Sequence, residues 1–579
     1  MSDLIRDAPL GQLIRLATRN RCLRYPEEQP GFQLPLPYVR ALDVLQQEKH
    51  STTNPSPPAN LSTESIDSCC KKAQDEESMT NGEASQDDTI KSRDLQPQPE
   101  TVLDMPKILP DGTILVDWYG PTDPDNPQNW TSKKKALTAG IIDLYTLAVY
   151  AGSAICTPSY GGVMERFEVS LQVASLLLSM YVLAYGIGPM LWSPLSEIPS
   201  IGRNPPYIIT FALFTILIVP TALAENFAGL VVLRFLLGFF GSPCLATGGA
   251  SMGDLYNFFK LPYALSLWAF AAVCGPATAP LISGFSVAAE NWRWAFWEML
   301  WLSGPIWILM FLLLPETSSP TLLLRRAHRL RVATSNLAFR SQSEIDQSKI
   351  NVRSLVIESL WRPMQVMLLD PSIAFTALYS ALVYGIYYSF FECFPLVFGE
   401  MHGFNLGEQG LVFLSINIGA VIALAMYWIY LYWIVKPTIR ANDVGPPERR
   451  LIPALPASIL MPVGLFIFAW TSSPNIHWIA PTIGIVIYII GIIIILQCIF
   501  LYLPLSYPQY AASLFAGNDY ARSTLAAATI HFSQPLYDNL GVPRGVTLLA
   551  GLTVGCIGGV FVLWHFGGRL RARSRFAPT

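Results

Sequence analysis

Charge is what this 579-residue sequence has least of: only 14% of its residues are Asp, Glu, Lys or Arg, against about a quarter in a soluble domain. The net charge of −3 leaves no basic surplus of the kind that neutralises phosphates, which argues against a nucleic-acid partner. The nine cysteines are scattered, with no CxxC pair and no zinc spacing. A disulfide framework and a structural metal are therefore not expected. There is no GxxxxGK[ST] loop, so ATP-driven work by this chain alone is not expected. HExxH and CxxCH are missing as well. "GASMG" fails as a nucleophile elbow because Ser251 is followed by Met252 and then Gly253. No enzyme constellation emerges, and neither cofactor nor metal is expected. The opening "MSDLIRDAPLGQLIRLATRN" mixes arginines into an apolar stripe and lacks a small-residue cleavage site, so it does not read as a signal peptide.

What is abundant is apolar surface, with 52% hydrophobic residues and a mean hydropathy of +0.38. Residues 1–45 could form an amphipathic helix, packed on the protein or lying on the inner membrane surface. Residues 46–105 are too polar to order themselves and read as a disordered cytosolic tail. A pre-membrane segment follows at 106–135. Beyond it, apolar stretches long enough to cross roughly 30 Å of hydrocarbon recur to the end. Six spans are expected near 136–157, 173–195, 206–224, 228–250, 263–287 and 296–315. Six more are expected near 371–398, 409–435, 453–472, 478–502, 511–533 and 543–565. The sequence thus predicts an all-α membrane protein with an N-terminal half at 136–315 and a C-terminal half at 371–566. A cytosolic loop at 316–370 joins the halves, and a basic tail closes the chain at 567–579. Lys133 to Lys135, the arginines of the central loop and Arg569 to Arg575 fall on one side of an even-numbered bundle. The positive-inside rule makes that side cytosolic. The sequons at Asn60 and Asn129 lie on the same side and should go unused.

Ionisable groups inside spans are functional candidates. Asp143 lies in span 1, Arg234 in span 4, Glu392 in span 7, and Asp519, Arg522 and His531 in span 11. Asp519 and Arg522 stand three apart and can simply pair with each other. His531 reads as a packing residue. Glu392 could be solvated near a boundary, and Asp143 could sit at the interface. Arg234 demands a cavity or a partner, since reaching water from its depth is strained. Small residues crowd around it in span 4. Span 5 carries interior prolines in "AAVCGPATAPLISG", which bend a helix and suit either close packing or a rocking transporter. Tyr145, Tyr185, Tyr384 and Tyr388, with Asn518, are candidate linings of an adaptable cavity that binds flat molecules by area and stacking.

These features resemble the major facilitator superfamily: twelve spans in two halves, a polar central loop and no nucleotide site. The stretch "GPMLWSPLSEIPSIGRNPP" between spans 2 and 3 is similar to that family's cytoplasmic loop signature. Glu197 takes the acidic position and Gly202 and Arg203 the Gly-Arg pair, while Asn204 stands where a second basic residue is usual. "LRFLLGFFGSP" resembles the span 4 motif of proton-coupled members, through Arg234 and Gly238. Gly275 and Pro276 resemble the span 5 antiporter motif. "VDWYGPTDPDNPQNW", "CTPSYGG", "SPCLATGGAS", "NWRWAFW", "LPETSSPTLL", "AGNDYARS" and "LRARSRFA" together look like the fungal branch of twelve-spanner drug:proton antiporters, the benomyl- and methotrexate-resistance type.

The resemblance implies export of small amphipathic compounds driven by protons, by a monomer in the plasma membrane. Its partners would be the small-molecule substrate, protons and the lipid bilayer. Arg234 is expected to hold a carboxylate ionised, with Asp143 the first candidate and Glu392 the second. Glu197, Gly202, Arg203, Gly238, Gly275 and Pro276 are expected to serve gating, with Glu197 and Arg203 forming a latch. Two rivals remain at this stage: a nutrient symporter of the same fold, and a non-transporting receptor or scaffold.

Overall fold

In the computed structural model the described residues are 2–53, 105–347, 361, 363–440, 445–507 and 511–574. Eleven helices among them are long and apolar enough to cross a membrane. They are Ser132–Phe167 (span 1), Leu171–Glu197 (span 2), Asn204–Ala222 (span 3), Phe227–Leu255 (span 4), Leu261–Ala289 (span 5) and Trp294–Leu313 (span 6), followed by Pro371–Met401 (span 7), Leu406–Thr438 (span 8), Pro447–Thr471 (span 9), Ile479–Ser506 (span 10) and Leu514–Arg573. The last covers 60 residues and is two helices joined at Gly541, whose φ of 76° and ψ of 156° are non-helical. It accounts for spans 11 and 12, and Gly541 tolerates the left-handed φ because it has no Cβ.

Local chemistry sets the helix ends. Thr131 caps span 1 by accepting from the Lys134 N–H, Asn226 does the same for Gly229 at span 4, and Asn405 and Glu408 form a capping box at span 8. Outward faces stay apolar, as at Ile209 and Ile216 on span 3 and Trp301 and Ile308 on span 6, because lipid rather than water is their solvent. Across the halves, span 2 packs on span 11 and span 5 on span 8. Backbones come very close there. A Cβ on Gly410 of span 8 would lie 2.6 Å from the Pro280 carbonyl of span 5.

The segment before span 1 is more structured than one amphipathic helix. It holds α1 (Ser2–Asp7), α2 (Pro9–Ala17) and α3 (Leu36–Thr53). Of the tail expected to be disordered, residues 46–53 belong to α3, and 54–104 lie outside the described residues. β1 (Ile114–Val116) pairs in parallel with β2 (Phe339–Ser341) of the central segment, beside α4 (Ser319–Thr334). Charge ties these pieces together. Arg326 of α4 is buried and donates to Asp123 Oδ2 at 2.6 Å and Asp125 Oδ2 at 2.8 Å. Its guanidinium also lies 4.1 Å from the Tyr119 ring centroid. Arg329 reaches Glu27 Oε2 at 3.1 Å, and Arg15 forks onto Glu28 at 2.6 and 2.8 Å. Burial disfavours the Asp123 carboxylate, but bonds and charge from Arg326 hold its pKa below the usual value. Glu28 is likewise lowered, burial being outweighed by Arg15. The Asn129 side chain donates to the Pro121 and Asp123 carbonyls.

Candidate transport site

Arg234 is fully buried, and no carboxylate among the described residues pairs with it. Its donors go to backbone. Nε meets the Leu177 carbonyl at 2.9 Å, Nη1 the Gly152 carbonyl at 2.8 Å and Nη2 the Ser153 carbonyl at 2.7 Å. Nη2 also reaches the Cys156 thiol at 3.3 Å, and the Tyr181 ring lies 4.4 Å from the guanidinium. The regular helix of span 1 ends at Ala154. Gly152 and Ser153 are therefore in its last turn, whose carbonyls have no partner within the helix and carry the negative end of its dipole. Arg234 is a C-terminal cap that sews spans 1, 2 and 4 together. That answers why a lone cation survives there.

The expected pair of Arg234 with Asp143 is corrected by this geometry. Asp143 and Gly152 are nine residues apart, about 13 Å along a helix and on opposite faces. Asp143 instead faces a crevice between spans 1, 5 and 6, with Leu267, Phe270 and Leu309, and its Oδ1 has no hydrogen-bond partner among the described residues. Glu392 forms no ion pair with Arg234 either, but it is the nearer in chemistry. Cys156 and Tyr160 both lie within electrostatic reach of Arg234 and of Glu392. Glu392 is buried, and its Oε1 is unpartnered among the described residues. It lines a cavity of about 200 Å³ with Tyr160, Phe391, Glu400, Gln409 and Gln534. That cavity lies at the end of span 1, on the far side from the N-terminus.

At the middle, a layer of phenols closes the two halves on each other. Tyr185 of span 2 bonds Tyr384 at 2.7 Å and Tyr388 at 3.0 Å, both on span 7. Tyr388 in turn meets Ser153 Oγ of span 1 at 3.0 Å. Beside them, Arg522 pairs with Asp519, donates to the Tyr150 hydroxyl at 3.1 Å and lies 4.6 Å from the Tyr384 ring centroid. Arg522, Tyr150, Trp268, Gln497 and Phe500 share a void of only about 20 Å³, room for about one water. The centre is collapsed in this conformation. Aromatic walls that part around cargo can bind flat molecules of varied shape.

Other expected linings fall elsewhere. Tyr145 turns away from the centre: its hydroxyl donates to the Gly241 carbonyl at 3.2 Å, and its ring packs on Phe211 at 4.4 Å. It stands five residues before Tyr150, well round the helix. Asn518 donates to Ser380 Oγ at 2.7 Å, which makes it a bridge between spans 11 and 7. Asp519 and Arg522 read from their spacing as a local pair, and the structure sets that pair beside Tyr150 at the centre. The signal was available, since "AGNDYARS" makes span 11 polar where lipid would tolerate nothing polar.

The latch also has different partners. Arg203 Nε pairs with Asp254 Oδ2 of span 4 at 2.6 Å rather than with Glu197, and Glu197 is exposed at the end of span 2. Glu316, from "LPETSSP", accepts the backbone N–H groups of Arg203, Asn204, Thr317 and Ser318. Gly202 sits at φ 81°, and a Cβ there would come 2.5 Å from Glu316 Oε2. Gly238 packs on the Tyr181 carbonyl of span 2. A Cβ on Gly275 would lie 2.8 Å from the Leu147 carbonyl of span 1, and Pro276 follows it inside the helix of span 5.

Residues 142–529 match the family model described as Major Facilitator Superfamily. The chain is a member of the major facilitator superfamily. Among its relatives, the "MFS-type transporter pyvG" of Aspergillus violaceofuscus is 44% identical over 577 residues, covering 100% of both chains. The "Cycloheximide resistance protein" of Candida maltosa is 37% identical over 587 residues, again with 100% of both covered. The proton:xylose symporter XylE, a solved structure, superposes with a TM-score of 0.53 at 14% identity, over 76% of this chain and 96% of that one. This last likeness concerns the fold. The family's members act as transporters, and this chain is a multi-pass membrane transporter similar to fungal drug-resistance proteins.

Proposed function

We propose that this major facilitator superfamily chain exports small amphipathic organic compounds from the cell in exchange for protons, as a monomer in the plasma membrane. The carrying observation is Glu392, a buried carboxylate with an unpartnered oxygen in a cavity at the far side of the halves. With the near side cytosolic, that cavity faces the exterior. A proton arriving from outside would neutralise Glu392 and remove a buried charge whose Oε1 has no hydrogen-bond partner among the described residues. Cargo from the cytosol would part the phenol layer, with Tyr150, Tyr185, Tyr384 and Tyr388 stacking against it and Arg522 supplying a hydrogen-bond donor. Arg234 holds the ends of spans 1, 2 and 4 as one unit through the swing. The Arg203–Asp254 pair and Glu316 hold the near side of the same half.

The cargo on this reading is a foreign toxin, such as the cycloheximide in one relative's name, or a metabolite made by the cell itself. The test uses the full chain in proteoliposomes with cycloheximide as the first probe. Flux is followed with a pH gradient imposed and then collapsed. Flux of the wild type should fall on collapse, and Glu392→Gln should carry cargo at a rate indifferent to the gradient. Wild-type pH dependence in Glu392→Gln would move the coupling group elsewhere, and gradient-independent flux in the wild type would remove coupling altogether.

A further inference from the structure

The short helix α2 points to a second surface, independent of transport. It packs on spans 3 and 6, the helices whose outer faces are open to lipid through Ile209, Ile216, Trp301 and Ile308. Asp7, just before α2, meets Lys134 at the start of span 1 at 3.3 Å. The helix therefore sits at the level where the near-side leaflet begins. One face is buried: Gly11 and Arg15 turn toward the protein. The other carries Leu13 and Leu16, which are 53% and 76% exposed. Two leucines so open to water on a helix of nine residues are costly unless something apolar covers them.

The charges next to this face are sorted. Asp3 and Asp7 are matched by Arg6 and Lys134, Glu28 by Arg15, and Glu27 by Arg326 and Arg329. Arg19, Arg21 and Arg24, which follow the helix, are exposed and form no ion pair among the described residues. The patch thus combines leucines continuous with lipid-facing spans and three free guanidinium groups. That is the composition of a segment lying in the interface of an anionic leaflet.

We infer that α2 and the turn after it dock on the anionic phospholipid surface of the near-side leaflet, Leu13 and Leu16 entering the acyl boundary and Arg19, Arg21 and Arg24 meeting lipid phosphates. The docked helix anchors the clasp around Arg326 to the membrane.

The test places a fluorophore on Leu16→Cys, and separately on Leu13→Cys, in the full chain with Cys22, Cys69, Cys70 and Cys556 replaced by serine. The protein is held in nanodiscs of phosphatidylcholine alone or with phosphatidylserine. A label on Leu337→Cys, a residue 80% exposed beyond α4, serves as the water-facing reference. At positions 13 and 16, brominated lipid should quench the label and aqueous iodide should quench it severalfold less than at 337. Phosphatidylserine should strengthen the lipid quenching, and replacing Arg19, Arg21 and Arg24 together with glutamine should abolish that gain. Iodide quenching equal to the reference overturns the inference. So does protection from iodide without quenching by brominated lipid, which would mean that a protein covers the face. Lipid quenching indifferent to phosphatidylserine and to the three glutamines overturns it equally.

Discussion

Arg234 shows how a buried cation can be stabilised without an anion. Three carbonyls from two other spans and an aromatic face take the place of a carboxylate. Hydrogen bonds to a charged group are worth about 1.5–3 kcal/mol each when removal strands the partner. Arg234→Ala should therefore lower the apparent melting temperature of the detergent-purified protein as well as its flux. Arg234→Lys should rescue little, because an ammonium on a flexible stem cannot hold the three carbonyls with the geometry of a fork. Thermal unfolding followed beside flux checks this; normal melting in Arg234→Ala would reassign the residue to coupling alone. Asp143 belongs to the opposite expectation. It faces a crevice among apolar side chains of spans 5 and 6, away from the phenol layer. Asp143→Asn should keep the response of flux to the pH gradient, and a loss of that response would restore it to the coupling path.

Among elements, the loop between spans 2 and 3 depends on Glu316 as much as on its own sequence. Four N–H groups converge on that one carboxylate, and Gly202 leaves it room. Gly202→Ala should impair folding, because it combines a left-handed backbone with a side chain aimed at Glu316. Asp254→Asn should slow turnover more than Glu197→Gln does, since Asp254 holds the ion pair. Comparing the two variants' turnover in one flux assay decides it, and equal effects would return Glu197 to the latch. The clasp of α4 with the N-terminal segment makes a separate prediction about acidity. Asp123 and Glu28 have lowered pKa values in the folded state. Their stabilisation is thus complete above the unfolded pKa of about 4 and lost as pH falls below it. Limited proteolysis of the segment should be flat from pH 8 to pH 5 and rise only under about pH 4.

For the molecule as a whole, the membrane fold was legible because hydrocarbon demands long apolar runs, and such runs announce themselves without tertiary information. The join at Gly541 was legible as a gap between apolar stretches. The site was harder. Tyr185, Tyr384 and Tyr388 sit together because their helices face one another, and no spacing within one span reveals that. Tyr145 has the same composition signal and points elsewhere. The Asp519–Arg522 pair was readable from its three-residue spacing; its position beside the phenols was not, because a local pair carries no information about the facing half. Arg234 misled for a related reason. A sequence shows carboxylates but not the loose carbonyls at a helix end.

The closed phenol layer has a consequence for measured affinity. Three hydroxyl bonds bind the layer together, and at about 1 kcal/mol net for each they disfavour the open centre by roughly a hundredfold. Any dissociation constant read for cargo then includes the rarity of the open state. A variant with looser closure should look like a better binder: Tyr388→Phe should tighten the apparent constant severalfold while letting more cargo slip across without coupling. Equilibrium binding set beside flux down the cargo's own gradient would reveal both. Tight closure, on this account, trades sensitivity for insulation. A weakly responding transporter keeps the membrane sealed between cargoes, and a dose–response curve that begins late is the signature of a good barrier.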